Sequence, residues 1–295
     1  AELNKNYWNL KGDLDSVGEF IRLYLTRYER WSSPLFLTGE SYGTTRASAL
    51  SGYLIDRGIA FNGIMLISTI MNFQTTAFAP GNDLPYALFL PSYAATAWYH
   101  KRLPSDLQSK PLADVVAEVE EWTSNQYTVA LARGDRMSPQ QRSDVAARLS
   151  RYTGLDQGFF ENANLRVNLN LFRKELLRSE RRSIGRLDSR FKGYDSNYAT
   201  DSPEYDASEA VIRSPYTSTF NNYVRRDLGY KTDLEYYILG GGFTSQWNWG
   251  TNNNYVDTSV ALRNALAKNP YLKIFVACGY YDMATPFSAA EYTIH

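Results

Sequence analysis

Histidine and cysteine are scarce in this chain: His100, His295 and Cys278 are all it has in 295 residues. A single cysteine excludes an internal disulfide framework. Two distant histidines and one cysteine make no metal-ligand cluster, so neither a metal nor another cofactor is expected. An excess of one charge is also missing. The 31 basic and 31 acidic residues balance, which argues against nucleic-acid binding driven by phosphate contacts. No apolar run approaches the ~20 residues a membrane span needs; residues 64–71 are too few. No Asn-x-Ser/Thr acceptor occurs, and no signal peptide is read at the start. These observations leave the compartment and the oligomeric state open.

What is present is ordinary for a globular protein, with 44% hydrophobic and 21% charged residues. Aromatics are abundant at 15%, including 23 Tyr. The basic residues Arg173, Lys174, Arg178, Arg181, Arg182 and Arg186 cluster, and such a run reads as a solvated helix end with its loop.

Hydrophobic periodicity predicts an amphipathic helix over residues 13–30, where Leu14, Val17, Phe20, Ile21, Tyr24, Leu25 and Tyr28 share one stripe. Leu35-Phe36-Leu37-Thr38 then reads as a buried strand ended by Gly39. A second helix follows over 44–57 and a second buried strand over 61–68. Helix, strand, helix, strand with short loops predicts a parallel sheet covered by helices. From residue 72 the pattern becomes mainly helical, with helices predicted at 84–101, 111–132, 138–151 and 165–181. Residues 183–214 read as irregular. Residues 234–239 fit either a strand or a helix end, and Gly240-Gly241-Gly242 reads as a flexible loop. A helix over 256–266 and a buried strand over 272–277 close the pattern. Residues 1–71 and 233–295 thus read as two parts of one α/β core, and 72–232 as a mostly helical cap inserted between them.

The chemistry-bearing motif is Gly39-Glu40-Ser41-Tyr42-Gly43. Between a strand and a helix, G-x-S-x-G is the nucleophile elbow of the α/β-hydrolase fold. A serine on so sharp a turn has strained backbone, and a Cβ at Gly39 or Gly43 is expected to clash. The bend places Ser41 at a helix N-terminus, where the Tyr42 N–H can serve as an oxyanion donor. The competing reading is a Gly-flanked turn with a capping serine.

A serine nucleophile needs a base oriented by an acid, in the chain order Ser, acid, His for this fold. Asp282, on the loop after the strand at 272–277, is the best acid; the competing reading is a turn-forming aspartate. His100 precedes the acid and sits in the cap. His295 follows it by thirteen residues, before a further strand can be completed. Neither fits the base, which is therefore expected beyond the end of the chain.

The two blocks Gly39-Glu40-Ser41-Tyr42-Gly43-Thr44 and Val276-Ala277-Cys278-Gly279-Tyr280-Tyr281-Asp282, with Pro286 nearby, resemble the serine carboxypeptidase family, its bacterial branch in particular. The resemblance implies an α/β-hydrolase fold with a helical cap and an exported enzyme. It also implies a peptide substrate with a free C-terminal carboxylate, trimmed one residue at a time. By that resemblance Ser41 is the nucleophile, Asp282 the triad acid, and Glu40 a carboxyl that binds the substrate's C-terminal carboxylate best when protonated. The family also has a Gly-rich oxyanion segment upstream and a histidine well past the acid. Both are expected outside the chain, so the chain by itself is expected to be inactive or nearly so. An esterase or lipase fits the elbow and Asp282 equally well, and a non-catalytic binding protein fits the lack of a base.

Overall fold

The computed structural model describes residues 6–239 and 246–295. Its first long helix, α1 (Leu10–Arg27), starts earlier than periodicity predicts because Asn9 caps it, accepting a hydrogen bond from the Gly12 N–H at 2.7 Å. β1 (Phe36–Glu40) follows and carries Gly39 inside it, so that glycine does not end the strand. α2 (Tyr42–Ile55) begins directly after Ser41, and β2 (Gly63–Ile67) comes next.

The intervening mainly helical stretch contains α3 (Leu84–Tyr99) and α4 (Leu112–Trp122). The latter continues through a π turn at Thr123–Tyr127 into α5 (Thr128–Arg133). α6 (Pro139–Thr153) opens on a capping box formed by Ser138 and Gln141, in keeping with the Ser-Pro start. α7 (Gln157–Asn162) and α8 (Leu169–Glu175) follow.

The segment read as irregular is partly ordered. Strands β3 (Ser183–Ile184) and β4 (Lys192–Gly193) form a small antiparallel pair, and α9 spans Ala207–Arg226. Sequence reasoning misses α9 because Pro215 interrupts it and its only buried residues are Ala207 and Ser208, which leaves no apolar stripe to detect. Residues 234–239 form neither helix nor strand. The Gly240-Gly241-Gly242 run lies outside the described residues. α10 (Ser259–Lys268), β5 (Lys273–Ala277) and α11 (Phe287–Ile294) complete the chain.

This is an α/β protein with a small parallel sheet of strand order β1-β2-β5. Helices α1, α2 and α10 cover one face. Leu14, Leu50, Leu54 and Leu262 pack there against Ile64 and Leu66 of the central strand. The other face is uncovered among the described residues. Phe36, Met65, Ile67 and Phe275 project from it, 68%, 40%, 38% and 60% exposed. The expected parallel sheet flanked by helices is thus present, with the helices packed on one face among the described residues. A second apolar cluster fills the helical stretch, built around Phe89, Tyr93, Val119, Leu149, Tyr152 and Phe172.

Only part of the basic run is solvated: Arg181 and Arg186 are exposed, as expected, but its first two residues are not. Arg173 and Lys174 are buried at 5% and 0% exposure. The Lys174 ammonium donates to Asp195 Oδ2 at 2.5 Å and to the Asn197 carbonyl at 2.7 Å. Charge runs are usually solvated, but here Asp195 lies opposite Lys174 and offsets part of the cost of removing it from water.

Where α4 approaches α11, burial and then the Glu291 carboxylate push Glu120 up to about 7 from an ordinary 4.5. A raised folded-state value means the native chain holds a proton that the unfolded chain has released. The contribution of Glu120 to stability is therefore fully present below pH 4.5 and is lost as pH rises through about 7. Because the pair is partly solvated, the loss is expected to be about 1–2 kcal/mol rather than the full shift. Urea denaturation should show Glu120→Gln more stable than wild type by that amount at pH 8 and equal to it at pH 4. An equal difference at both pH values would refute this titration.

Candidate active site

The register of the sheet builds one edge. Glu40, Ile67 and Ala277 stand opposite one another at the carboxyl ends of their strands. The next residues continue the ladder: Ser41 N–H donates to the Ile67 carbonyl at 3.0 Å and Ser68 N–H to the Ala277 carbonyl at 2.8 Å. The bend at Ser41 and the loop after β5 therefore leave the sheet from the same rim.

Ser41 has φ 50° and ψ −121°, a region L-residues avoid, at a cost of about 1–3 kcal/mol. It occupies the N-cap position of α2, but its hydroxyl makes no capping hydrogen bond. An ordinary capping serine would use its oxygen on the first-turn N–H groups. The Tyr42 N–H, first in α2, has no acceptor within the helix.

The two elbow glycines are not equivalent. A Cβ on Gly39 would lie 2.1 Å from the Gly43 carbonyl oxygen and 2.8 Å from the Thr44 nitrogen. A Cβ on Gly43 would meet nothing within 4 Å. The expected clash is real for Gly39 and absent for Gly43, whose backbone is what Gly39 would strike.

Residues beyond the motif hold the bend. Thr44 and Thr45 are fully buried. The Ile70 N–H donates to Thr44 Oγ1 at 2.9 Å, and Thr45 Oγ1 donates to the Ile70 carbonyl at 2.7 Å. These bonds tie the loop after β2 to the start of α2. Asp13 of α1 accepts from the Tyr42 hydroxyl at 2.7 Å and from both Nε and NH2 of Arg46, at 2.8 and 2.9 Å. Burial first, and then this bond to Asp13, raises the Tyr42 phenol far above its ordinary value, so it stays protonated. Sequence reading misses Asp13 and Arg46; their contact spans 33 residues and leaves no local pattern.

A cleft of about 920 Å³ opens over this edge, within the range that holds a small ligand. Glu40, Ser41 and Tyr42 line it, with Phe73 and Trp249 on one wall and Tyr216 of α9 on another. Trp249 packs on both Tyr42 and Phe73, at centroid distances of 5.8 and 4.6 Å. Glu40 is exposed rather than buried. Its carboxyl is still raised above the ordinary range, first by partial desolvation in the cleft and then by the charge of Asp282.

Asp282 stands one layer behind the wall. Ala284 and Thr285 line the cleft, and the Asp282 carboxylate accepts from both of their N–H groups, at 2.8 and 3.0 Å, and from Thr285 Oγ1 at 2.8 Å. It shapes its own loop, as the turn-forming reading has it, and at the same time lies close enough to Glu40 to influence its charge. The structure thus gathers Gly39, Glu40, Ser41, Tyr42 and the Asp282 loop at one rim.

The histidines are elsewhere. His100 Nε2 is 2.8 Å from the Ser189 carbonyl, and burial lowers its affinity for a proton. His295 is exposed at the end of α11. Neither lines the cleft. Among the described residues no cluster of His, Cys, Asp and Glu could hold a metal ion, and no helix is long and apolar enough to cross a membrane.

Sequence reading also misses most of the cleft lining, the charged Arg186 among it. The place of Arg186 in a basic run points to solvent, and it is exposed; that it also borders the cleft depends on the fold. In comparisons with known proteins, no family model, no curated protein and no solved structure matches this chain.

Proposed function

We propose that this protein is a serine hydrolase of the α/β-hydrolase type, with Ser41 as nucleophile, acting as a serine carboxypeptidase on peptides with a free C-terminal carboxylate. The observation that carries the reading is the Ser41 backbone, held at φ 50° between a parallel strand and a helix with its hydroxyl unused by the cap. Such strain persists only where the surroundings over-determine it, and it concentrates at functional sites.

In this reading Ser41 Oγ attacks the scissile carbonyl and loses its proton to a base. The Tyr42 N–H stabilises the oxyanion, and Asp282 orients the base from behind the Thr285 wall. Glu40, when protonated, donates a hydrogen bond to the substrate's terminal carboxylate. Its raised proton affinity extends that protonated form to higher pH than an ordinary glutamate reaches. The core formed by 1–71 and 233–295 carries nucleophile and acid, and the helical insertion 72–232 roofs the cleft. Among the described residues no histidine lines the cleft, so in this reading proton removal depends on a group other than His100 or His295.

The test is covalent labelling. A fluorophosphonate is expected to modify Ser41, located by peptide mass, faster when imidazole is added as an external base. Ser41→Ala should abolish the label, and His100→Gln and His295→Gln should leave its rate within about twofold. Absence of label at Ser41 even with imidazole would overturn the hydrolase reading. Binding of a blocked dipeptide amide as tight as that of its free acid would overturn the carboxypeptidase reading and leave an esterase in its place.

A further inference from the structure

Glu40 and Arg186 are the two charged side chains that line the cleft, among the described residues. Arg186 precedes the turn between β3 and β4, and its backbone is fixed on both sides. Its N–H donates to Asp206 Oδ1 at 2.9 Å, and its carbonyl accepts from the Met283 N–H, next to Asp282, at 2.9 Å. The neighbouring Leu187 and Asp188 N–H groups are held by Ser208 Oγ at 3.1 and 3.2 Å. The peptide that carries Arg186 is therefore locked to the acid loop before any ligand arrives.

The guanidinium itself is not locked. It makes no hydrogen bond among the described residues, and its side chain is 44% exposed. Its ion partner, Asp206, is 3.8 Å away and is shared with the buried Arg173 at 3.9 Å. The Asp206 oxygens are already occupied by neutral donors: the N–H groups of Arg186, Leu187 and Ser208, and the Ser208 hydroxyl. Two guanidiniums thus share one carboxylate, leaving one positive charge uncompensated. The Arg173 guanidinium is fastened to the Ile184 carbonyl at 3.1 Å. The free charge and the free planar fork of donors both belong to Arg186, on the cleft wall. A guanidinium fork is the group best matched to a carboxylate.

We propose that Arg186 is a specificity-determining residue that receives the acidic side chain of a substrate's C-terminal residue, Asp or Glu. This rests on the carboxypeptidase reading above, which assigns the terminal carboxylate to Glu40 and leaves Arg186 for a second acidic group. Among the described residues the rest of the lining, with Ile70, Phe73, Thr76, Leu187, Trp249 and Thr285 in it, is uncharged and offers a side-chain carboxylate no other cation.

The experiment measures binding of N-blocked dipeptides ending in Glu or Gln, by titration calorimetry at low salt, in the Ser41→Ala background so that turnover does not intervene. The Glu peptide is expected to bind about tenfold tighter than the Gln peptide, the gain typical of a charge-assisted over a neutral hydrogen bond. Arg186→Met should bring that ratio to about one without weakening the Gln peptide, and Arg186→Lys should keep part of it. Thermal unfolding of each variant reports whether the fold is intact, and Arg186→Lys keeps the question answerable if Arg186→Met unfolds. A preference for Glu that survives Arg186→Met, equal weakening of both peptides, or a preference set by the penultimate residue instead would each overturn this role while leaving the carboxypeptidase reading standing. If neither peptide binds and Ser41 resists the fluorophosphonate, that reading falls and the role of Arg186 with it.

Discussion

Gly39→Ala is expected to destabilise the protein by about 3 kcal/mol or more and to abolish labelling of Ser41, whereas Gly43→Ala is expected to change stability by no more than about 0.5 kcal/mol. The added Cβ at position 39 would lie 2.1 Å from the Gly43 carbonyl oxygen, 2.4 Å from its carbon and 2.8 Å from the Thr44 nitrogen. All three are backbone atoms of the first turn of α2, so no side chain can swing aside. The turn itself must shift, but Thr44 and Thr45 bind it to the Ile70 backbone. Relief of the clash would draw Ser41 out of its bend, which couples the stability loss to the loss of reactivity. Gly43 has the opposite environment, with open space where its Cβ would be. Urea denaturation of both variants, with fluorophosphonate labelling of each, checks the asymmetry. Equal effects of the two substitutions would show that steric crowding at Gly39 does not hold the elbow.

Lys174→Met is expected to cost about 3–5 kcal/mol, the range for removing one partner of a buried ion pair. Both side chains are fully buried, and the Asp195 carboxylate would lose its counter-charge while keeping, among the described residues, the Glu204 N–H at 3.1 Å as a neutral donor. The double variant Lys174→Met/Asp195→Leu should recover most of the loss, since it removes the uncompensated charge as well. Denaturation midpoints of the two single variants and the double variant give the coupling directly. A double variant no more stable than Lys174→Met would show that the pair is not what holds the β3–β4 region against α8.

Both substitutions act on features that differ in how far the sequence reveals them. The elbow is legible because its determinants are local. A strand, a glycine two residues before the serine and a helix soon after it follow from short-range sterics and from the change of apolar period between 35–38 and 44–57. Even so, the sequence overstates the symmetry of the motif: Gly39 and Gly43 look alike in the pattern, and only the packed turn distinguishes them. The ion pair is illegible for the opposite reason. Lys174 and Asp195 lie 21 residues apart, and a lysine in a basic run carries no local mark of the carboxylate that meets it in the interior. The same holds for Arg186, which shares that run and yet borders the cleft.

The amino-acid order by itself determined the three parallel strands, the helices between them and the bend at Ser41, because each depends on neighbours within a few residues. Tertiary packing decided which face of the sheet is covered, that Asp282 lies behind the Thr285 wall, that Asp13 and Arg46 brace Tyr42, and that Arg173 and Arg186 share a single carboxylate. Those outcomes depend on charges and surfaces brought together from distant parts of the chain, where burial strengthens electrostatics and no periodicity records the partner.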